Sequence, residues 1–571
     1  MYTPELAPLG GSLALSAVLA ALPLATVFVL LGVFRVKAHW AALSGLATAL
    51  AVAVAAYGMP VHMALSSASQ GAAFGLLPIM WIVLTAIWLH QLTVTSGHFE
   101  DLRTCFGMIS PDPRIQAVVI AFCFGGLLEA LAGFGAPVAI TGMMLVAVGF
   151  PPLRAAVTVL LANTAPVAFG ALGTPIITAG ELTGIPYEHI GAVVGRQTPL
   201  LAFLVPFLLV LVVDGRRGAR EAWPAALVTG AGFAIAQFAS ANFVSVQLTD
   251  IVSSLAGALA LVVFLRFWQP RGGEAARQRL VSDATPETPQ DAGASHDTGE
   301  PQATGASQDT GGVATMTPGR ERLGAARITR ALFPYLLVVV VFSVVKLWEP
   351  LGDALESTDV EIPWPGLYGA LTEASGEPSD TTEFSLAWLS TPGSLLLLCG
   401  FGVAAGYRMP LRTALSDLAS TARSLRLPAL AVVGVLALAY VMNQSGQTTT
   451  IGTAIAGAGA AFAFLSPVLG WIGVAVTGSD TSANALFAGL QQVAAEKVGL
   501  DPALLVAANT SGGVMGKMIS PQNLTIAATA VGLVNQEARL LRTTLKWSIG
   551  LLLTLCVLVF LQSTVLAWML P

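Results

Sequence analysis

The chain has 571 residues, of which 55% are apolar and only 10% charged, and its mean hydropathy is +0.75. Soluble domains carry about 25% charged residues, so this composition excludes an ordinary soluble enzyme. The net charge of −5 indicates no particular partner, because the Lys and Arg residues fall in different places from the Asp and Glu residues. The cysteines lack metal-binding spacing, which argues against a zinc site or a disulfide framework. A lipid bilayer is therefore the expected solvent.

Apolar runs long enough to cross a bilayer, which takes about 20 residues, recur along the chain. The first run, residues 12–34, is followed by Arg35 and Lys37 rather than by a cleavage site, so we expect a retained span. The other runs are 40–57, 76–95, 115–131, 136–150, 155–173, 190–213, 222–241, 247–267, 331–348, 391–407, 427–446, 449–477, 482–518 and 546–569. They predict an all-α polytopic membrane protein with about 12–14 transmembrane segments, some of them discontinuous.

Composition divides the chain into three parts. Residues 1–268 and 331–571 are the predicted transmembrane halves, and residues 269–330 have the polar, Pro- and Gly-rich composition of a disordered linker. Arginines flank the linker and also cluster at 216–220 and 408–426, which predicts that these loops are cytoplasmic. Residues 351–390 contain acids but no Lys or Arg, so we expect this segment and the N-terminus to face outward.

The two halves share a weak internal repeat. Residues 162–175 read ANTAPVAFGALGTP and residues 508–521 read ANTSGGVMGKMISP, while AGFGAP at 132–137 corresponds to TGSDTS at 477–482. Chance similarity among small residues is the alternative, because such residues are frequent in membrane helices. Matching Gly- and Pro-interrupted segments in two halves are typical of secondary transporters, whose binding sites lie where broken helices or re-entrant hairpins meet. We therefore predict two structural repeats, each with a break before an Asn-Thr turn.

Glu129 lies inside an apolar run, and Asp480 lies in a dense polar turn between apolar flanks. A carboxylate at the bilayer centre costs about 2.5–3.5 kcal/mol or more, so such acids usually pair or carry protons. Proton coupling is the functional prediction for both. A static hydrogen bond is the alternative for Glu129, and helix capping by Asp480 or Thr481 is compatible with a functional role.

The Asn-Thr elements, Asn163 with Thr164 and Asn509 with Thr510, provide amide and hydroxyl groups suited to a small carboxylate. We predict that they bind substrate together with Ser511, Ser479, Thr481 and Lys517. Hydroxyl bonding to the helix backbone is the common alternative for Ser and Thr. Lys517 is equally compatible with extension to the membrane interface.

His90 is a candidate proton relay because imidazole titrates near neutrality, although a lone histidine in a span more often packs in the core. The sequence contains no nucleotide-binding, metalloprotease, serine-hydrolase or nucleic-acid-binding motif. We therefore expect neither an enzyme nor a nucleotide-driven pump, with no cofactor and no metal site.

The stretches GGLLEALAGFGAPVAI, GSDTSANALFAGLQ and NTSGGVMGKMISPQN resemble the signature segments of the L-lactate permease family. The resemblance implies a proton-coupled importer of lactate, and also of D-lactate and glycolate, in the bacterial cytoplasmic membrane. That family is grouped with carboxylate carriers that have inverted repeats. Ala162 and Ala508 stand where those carriers often have Ser, which argues against a sodium site of their type.

A proton-symporting carrier of a short 2-hydroxymonocarboxylate is thus the predicted function. Its expected partners are lactate, a proton and membrane lipid, with no nucleic acid. The oligomeric state stays open, a homodimer being one option. A cation–proton antiporter that uses Glu129 and Asp480 is the first alternative, and a membrane-embedded hydrolase is the second.

Overall fold

The computed structural model describes residues 1–133, 135–284, 324–372, 379, 382–533 and 536–571. Helices dominate both halves of the chain. The helices before residue 285 are α1 (Leu13–Ala20), α2 (Leu22–Phe28), α3 (Ala38–Ala55), α4 (Val61–Phe74), α5 (Trp81–Thr95), α6 (His98–Gly107), α7 (Pro113–Ala117), α8 (Gly125–Ala132), α9 (Ala136–Val148), α10 (Pro152–Ala162), α11 (Thr174–Thr183), α12 (Tyr187–Phe243), α13 (Thr249–Leu265) and α14 (Gly273–Ala284). Short π-helical stretches extend α2, join α4 to α5 and join α7 to α8.

The second half begins with α15 and also contains a short hairpin. Its elements are α15 (Ala325–Leu347), α16 (Glu349–Glu356), β1 (Val360–Pro363), β2 (Glu383–Leu386), α17 (Pro392–Gly406), α18 (Leu411–Ser424), α19 (Arg426–Gln444), α20 (Gln447–Ile455), α21 (Phe462–Thr477), α22 (Asp480–Val498), α23 (Pro502–Lys517), α24 (Pro521–Ala530) and α25 (Glu537–Gln562). Strands β1 and β2 pair antiparallel within the acidic segment.

Length and composition identify candidate membrane-spanning helices. Among the described residues, nine helices are long and apolar enough to span a bilayer, and four shorter helices are also apolar. The longest, α12, is interrupted at Asp214 and Gly215, where the backbone leaves the helical conformation, so it provides two passes. Large apolar side chains such as Leu15 and Val18 are exposed on the outer helices, as expected for a surface that contacts lipid. These features confirm the predicted all-α polytopic class.

Helices from the two halves exchange partners in a reciprocal pattern. Helix α3 packs against α19 while α17 packs against α5, and α11 packs against α22 while α24 packs against α9. Likewise, α12 contacts α23 and α25 contacts α10. Each contact has a counterpart with the two halves exchanged when the helices are matched in chain order, α3, α5, α9, α10, α11 and α12 with α17, α19, α22, α23, α24 and α25. Two repeats related by a two-fold axis produce this arrangement.

The glycine-rich helix breaks predicted in the two repeats differ between the halves. Gly133 and Gly135 separate α8 from α9, and Gly478 separates α21 from α22 with a positive φ of 76°. Glycine adopts this left-handed conformation without the steric cost of a side chain. Asn163 and Thr164 follow the end of α10, as predicted. The prediction of a turn at Asn509 and Thr510 is wrong, because α23 continues through both residues to Lys517.

The start of the predicted linker is ordered. Residues 273–284 form α14, which corrects the expectation of disorder for this part, whereas residues 285–323 lie outside the described residues. Arg279 of α14 donates to Asp214, and the fully buried Arg114 pairs with Asp112, Glu221 and Asp214. A charge cluster therefore holds α14 against α7 and the break in α12.

The acidic segment and the N-terminus lie together. The Tyr2 hydroxyl donates to the backbone oxygens of Tyr57 and Ser445, and the Tyr2 backbone pairs with the chain at Ala370 and Thr372. Both elements were predicted to face the same side of the membrane, and this contact supports that prediction.

Candidate functional site

A buried ion pair joins the two halves of the bundle. Lys517 Nζ at the end of α23 donates to Glu129 Oε1 in α8 at 2.7 Å, and Asn163 Nδ2 donates to Glu129 Oε2 at 2.9 Å. The three residues are 8%, 2% and 6% exposed. The alternative for Lys517, extension to the membrane interface, therefore does not describe this structure. Three residues predicted to function from the sequence converge here.

Close packing of α23 against α21 positions Lys517. Gly512 and Gly516 lie one helical turn apart and face the backbone of Pro467 and Trp471. A side chain at either glycine would overlap that backbone, so only small residues permit this approach, as in other membrane helix pairs. The helix axis is thereby held close to α21, and Lys517 follows directly after Gly516.

Asn509 and Thr510 belong to a separate amide network. Asn509 Nδ2 donates to Asn484 Oδ1 at 2.8 Å, and Asn484 Nδ2 lies 2.9 Å from both Thr510 Oγ1 and the backbone oxygen of Pro175. Gln491 Nε2 donates to Asn509 Oδ1 at 3.3 Å. This network links α22 and α23 to α11, so both polar groups of the Asn509 amide have protein partners.

Two other predicted substrate residues also have protein partners. Ser511 Oγ donates to Gln197 Oε1 at 2.7 Å, and Gln197 Nε2 donates to Gln562 Oε1. Thr164 Oγ1 donates to the backbone oxygen of Leu161 at 2.6 Å, which is the common role of a threonine at a helix end. These contacts crosslink helices and leave the roles in substrate binding as predictions.

Asp480 begins α22 directly after its cap. Ser479, rather than Asp480 or Thr481, is the N-cap and accepts from the Ser482 backbone N–H, which corrects the capping prediction. Both Asp480 carboxylate oxygens are buried without a hydrogen-bond partner among the described residues. Gly513 faces Asp480 Oδ1 closely enough that a side chain there would collide with it. Thr481 is partly buried in the first turn of α22.

His90 lies in α5 within an aromatic cluster. Its ring packs edge-on against Phe99, with ring centroids 5.2 Å apart, and its Nδ1 atom has no hydrogen-bond partner among the described residues. This arrangement matches the core-packing alternative, and the proton-relay role stays a prediction.

Sequence reasoning missed Asp250 and the amides of Asn484, Gln491 and Gln197. Asp250 is 1% exposed in the first turn of α13, close enough to Glu129 and Lys517 to interact with both electrostatically. A carboxylate one turn inside an apolar run was the available signal. Gln197 and Gln491 carried a similar signal, because each interrupts an otherwise apolar helix face, whereas Asn484 follows the polar turn at 477–482. Among the described residues, no group of three or more His, Cys, Asp or Glu is placed to hold a metal ion.

The fold and this site define a multi-pass membrane protein with buried charges at the contact between its halves, the architecture of a carrier. The family description "L-lactate permease" matches residues 16–566. The chain is 41% identical to an L-lactate permease of Bacillus subtilis (strain 168), over 100% of both chains, and 41% identical to an L-lactate permease of Escherichia coli (strain K12), over 98% of both. It is also 41% identical to the glycolate permease GlcA of that E. coli strain, covering 100% of this chain and 99% of the relative.

The chain therefore belongs to the L-lactate permease family and is a transporter of the bacterial cell membrane. Among solved structures, it is similar to the YdaH transporter of Alcanivorax borkumensis with a TM-score of 0.46 and 14% identity, over 89% of this chain and 90% of that one.

Proposed function

We propose that this transporter imports L-lactate, and also D-lactate and glycolate, together with one proton. The names of the relatives support this substrate class, because lactate and glycolate share a carboxylate and a 2-hydroxyl group and differ by one methyl group. The observation that carries the proposal is the buried pair between Lys517 Nζ and Glu129 Oε1, 2.7 Å apart.

The pair offers a physical basis for coupling. Lys517 is the cation that a lactate carboxylate would contact, and in this structure it is already paired with the Glu129 carboxylate. If lactate takes the place of Glu129, the displaced carboxylate is left buried without a counter-charge, which costs several kcal/mol. Protonation of Glu129 removes that cost. Substrate binding and proton uptake are therefore linked, and each anion travels with one proton.

The charge balance favours this mechanism over movement of the anion alone. A monoanion that enters against an inside-negative potential loses about 2.3 kcal/mol per 100 mV. The neutral pair of lactate and proton does not meet this penalty. Uptake is then driven by the pH gradient and by the lactate gradient, independently of membrane potential.

Neighbouring polar groups complete the proposed site. Asn163 donates its amide to Glu129 and becomes available for the substrate when Glu129 is protonated. Both Asp480 oxygens lack a hydrogen-bond partner among the described residues and are available to accept the 2-hydroxyl of the substrate. No cofactor is required in this scheme, and no bond of the substrate is broken.

A cation–proton antiporter is the alternative that would use the same acids. It would not need Lys517 next to Glu129, because a buried lysine opposes cation binding. Uptake of labelled lactate into proteoliposomes separates the two proposals. We expect an inward proton gradient to drive accumulation above that in protein-free liposomes, and a sodium gradient to have no effect. Sodium-driven uptake, or no response to the proton gradient, would overturn proton symport.

A charge-pair series tests the role of Lys517. Lys517→Met alone leaves Glu129 unpaired and is expected to reduce stability by about 3–5 kcal/mol. The double variant Lys517→Met with Glu129→Gln removes both charges and should recover most of that stability. We expect that neither variant binds lactate. Lactate binding by the stable double variant would place the carboxylate site elsewhere.

A further inference from the structure

Asp250 is the buried acid that the proposed coupling step leaves without a role. It is 1% exposed, and neither carboxylate oxygen has a hydrogen-bond partner among the described residues. An ionised carboxylate in such a position is costly, so the group holds a proton when Lys517 is paired with Glu129. A carboxylic acid without hydrogen bonds does little to hold helices together.

The packing of α13 on α8 places Asp250 opposite Glu129. Ser254 Oγ lies 2.5 Å from the position that a Cβ atom on Gly126 would occupy, so the two helices approach each other closely at these residues. Asp250 lies one turn before Ser254, and Glu129 lies one turn after Gly126, on the same faces. Asp250 is close enough to Glu129 and Lys517 for electrostatic interaction with both.

The start of α13 lies toward the side that the charge distribution assigns to the outside. Gln247, in the loop before α13, donates to the Tyr187 hydroxyl at the start of α12. The next residue, Glu188, pairs with Lys346, which precedes the acidic segment. The other end of α13 is followed by Arg266, a feature of cytoplasmic loops. Asp250, three residues after Gln247, therefore lies near this outer loop on the helix that packs against α8.

We propose that Asp250 is the proton donor to Glu129 on the outer side, an inference that rests on the proposed proton symport. When lactate displaces Glu129 and pairs with Lys517, the O–H bond of the Asp250 carboxylic acid breaks and an O–H bond forms on Glu129. The resulting Asp250 carboxylate takes a proton from external water. After lactate leaves on the inside, Glu129 releases its proton there and pairs with Lys517 again, so one proton crosses with each lactate.

The test compares net uptake with exchange in proteoliposomes. Net uptake needs a new proton in every cycle, whereas exchange of external labelled for internal unlabelled lactate proceeds with Glu129 protonated throughout. For Asp250→Asn, we expect net uptake driven by a proton gradient to fall by about 100-fold or more, the scale of losing a proton-transfer group. Exchange and the Kd for lactate should stay near the wild-type values, and Asp250→Glu should recover part of the net uptake.

Ser253→Ala is the matched control. Ser253 is buried on the same helix, and its hydroxyl donates to the Asp250 backbone oxygen at 3.3 Å, so the variant removes a polar group without removing a carboxyl group. Its net uptake should equal that of the wild type. Unchanged net uptake in Asp250→Asn, or equal losses of net uptake and exchange, would overturn the inference. If wild-type uptake does not respond to the proton gradient, proton symport itself fails, which the same assay distinguishes.

Discussion

Lys517 supplies one positive charge near three buried carboxylates, those of Glu129, Asp250 and Asp480. One lysine neutralises one carboxylate, so the other two are stable only when they carry protons. A substrate anion adds one further negative charge and requires one further proton. The stoichiometry of the proposed symport thus follows from the charges of individual residues.

Glu129→Gln is expected to bind lactate more tightly than the wild type does. Glutamine resembles protonated glutamate, so Lys517 is free for the substrate at all times. The release of a charged hydrogen bond is worth about 1.5–3 kcal/mol, or roughly tenfold or more in Kd. Calorimetry in detergent near neutral pH measures this change, and proton-driven accumulation should be lost. Weaker lactate binding than in the wild type would contradict the competition between Glu129 and substrate.

Asn163→Ala and Asn509→Ala should have different effects. Asn163 contacts Glu129 at the ion pair, so its loss should weaken lactate binding by about 1–3 kcal/mol. Asn509 is paired with Asn484 and Gln491, so its loss should chiefly lower the melting temperature. Kd and thermal unfolding of both variants separate these effects. A larger loss of affinity in Asn509→Ala would support the sequence-based prediction that Asn509 contacts the substrate.

At the scale of helices, local composition predicted the spans and the breaks but not every helix end. Glycines at 133, 135 and 478 carried the information for two breaks, because the backbone conformation there is a local property. The repeat wrongly predicted a turn at Asn509. The Asn509 amide lies inside α23 and is hydrogen-bonded to Asn484 of the neighbouring helix. A contact between segments distant in sequence leaves no local pattern.

The Arg114 cluster connects three elements and provides a prediction about stability. Arg114 is fully buried and pairs with Asp112, Asp214 and Glu221, whereas the Arg279 side chain is 34% exposed. Arg114→Gln leaves several acids without their counter-charge and should destabilise the protein by about 3–5 kcal/mol. Arg279→Gln should cost about 1 kcal/mol or less. Thermal unfolding in detergent compares the two, and equal effects would contradict a central role for Arg114.

For the whole molecule, the charge distribution predicts the orientation in the membrane. The sequence repeat predicted two related halves. Which helices exchange partners depends on contacts that cannot be derived from a single sequence. The orientation, by contrast, follows from local charges. Arginines near the break in α12 and the acidic hairpin lie at opposite ends of the expected topology.

Cysteine labelling tests that orientation. Glu361→Cys and Arg217→Cys introduce exposed thiols, and Cys105→Ser removes the native cysteine that is not buried. In intact cells, an impermeant maleimide should label position 361 and not position 217, because we expect the acidic segment to face outward. Position 217 should be labelled only after the membrane is permeabilised. The reverse pattern would contradict the assigned orientation.

The coupling of one proton to one lactate is tested most directly by the accumulation ratio at equilibrium. Proteoliposomes are given a series of pH differences with the membrane potential clamped at zero, and then a series of potentials without a pH difference. The account predicts that the internal-to-external lactate ratio rises about tenfold per pH unit and does not respond to potential, since one pH unit corresponds to about 1.4 kcal/mol per proton. Protein-free liposomes correct for passive entry of lactic acid. A ratio that follows the potential, or that ignores the pH difference, would contradict the central claim.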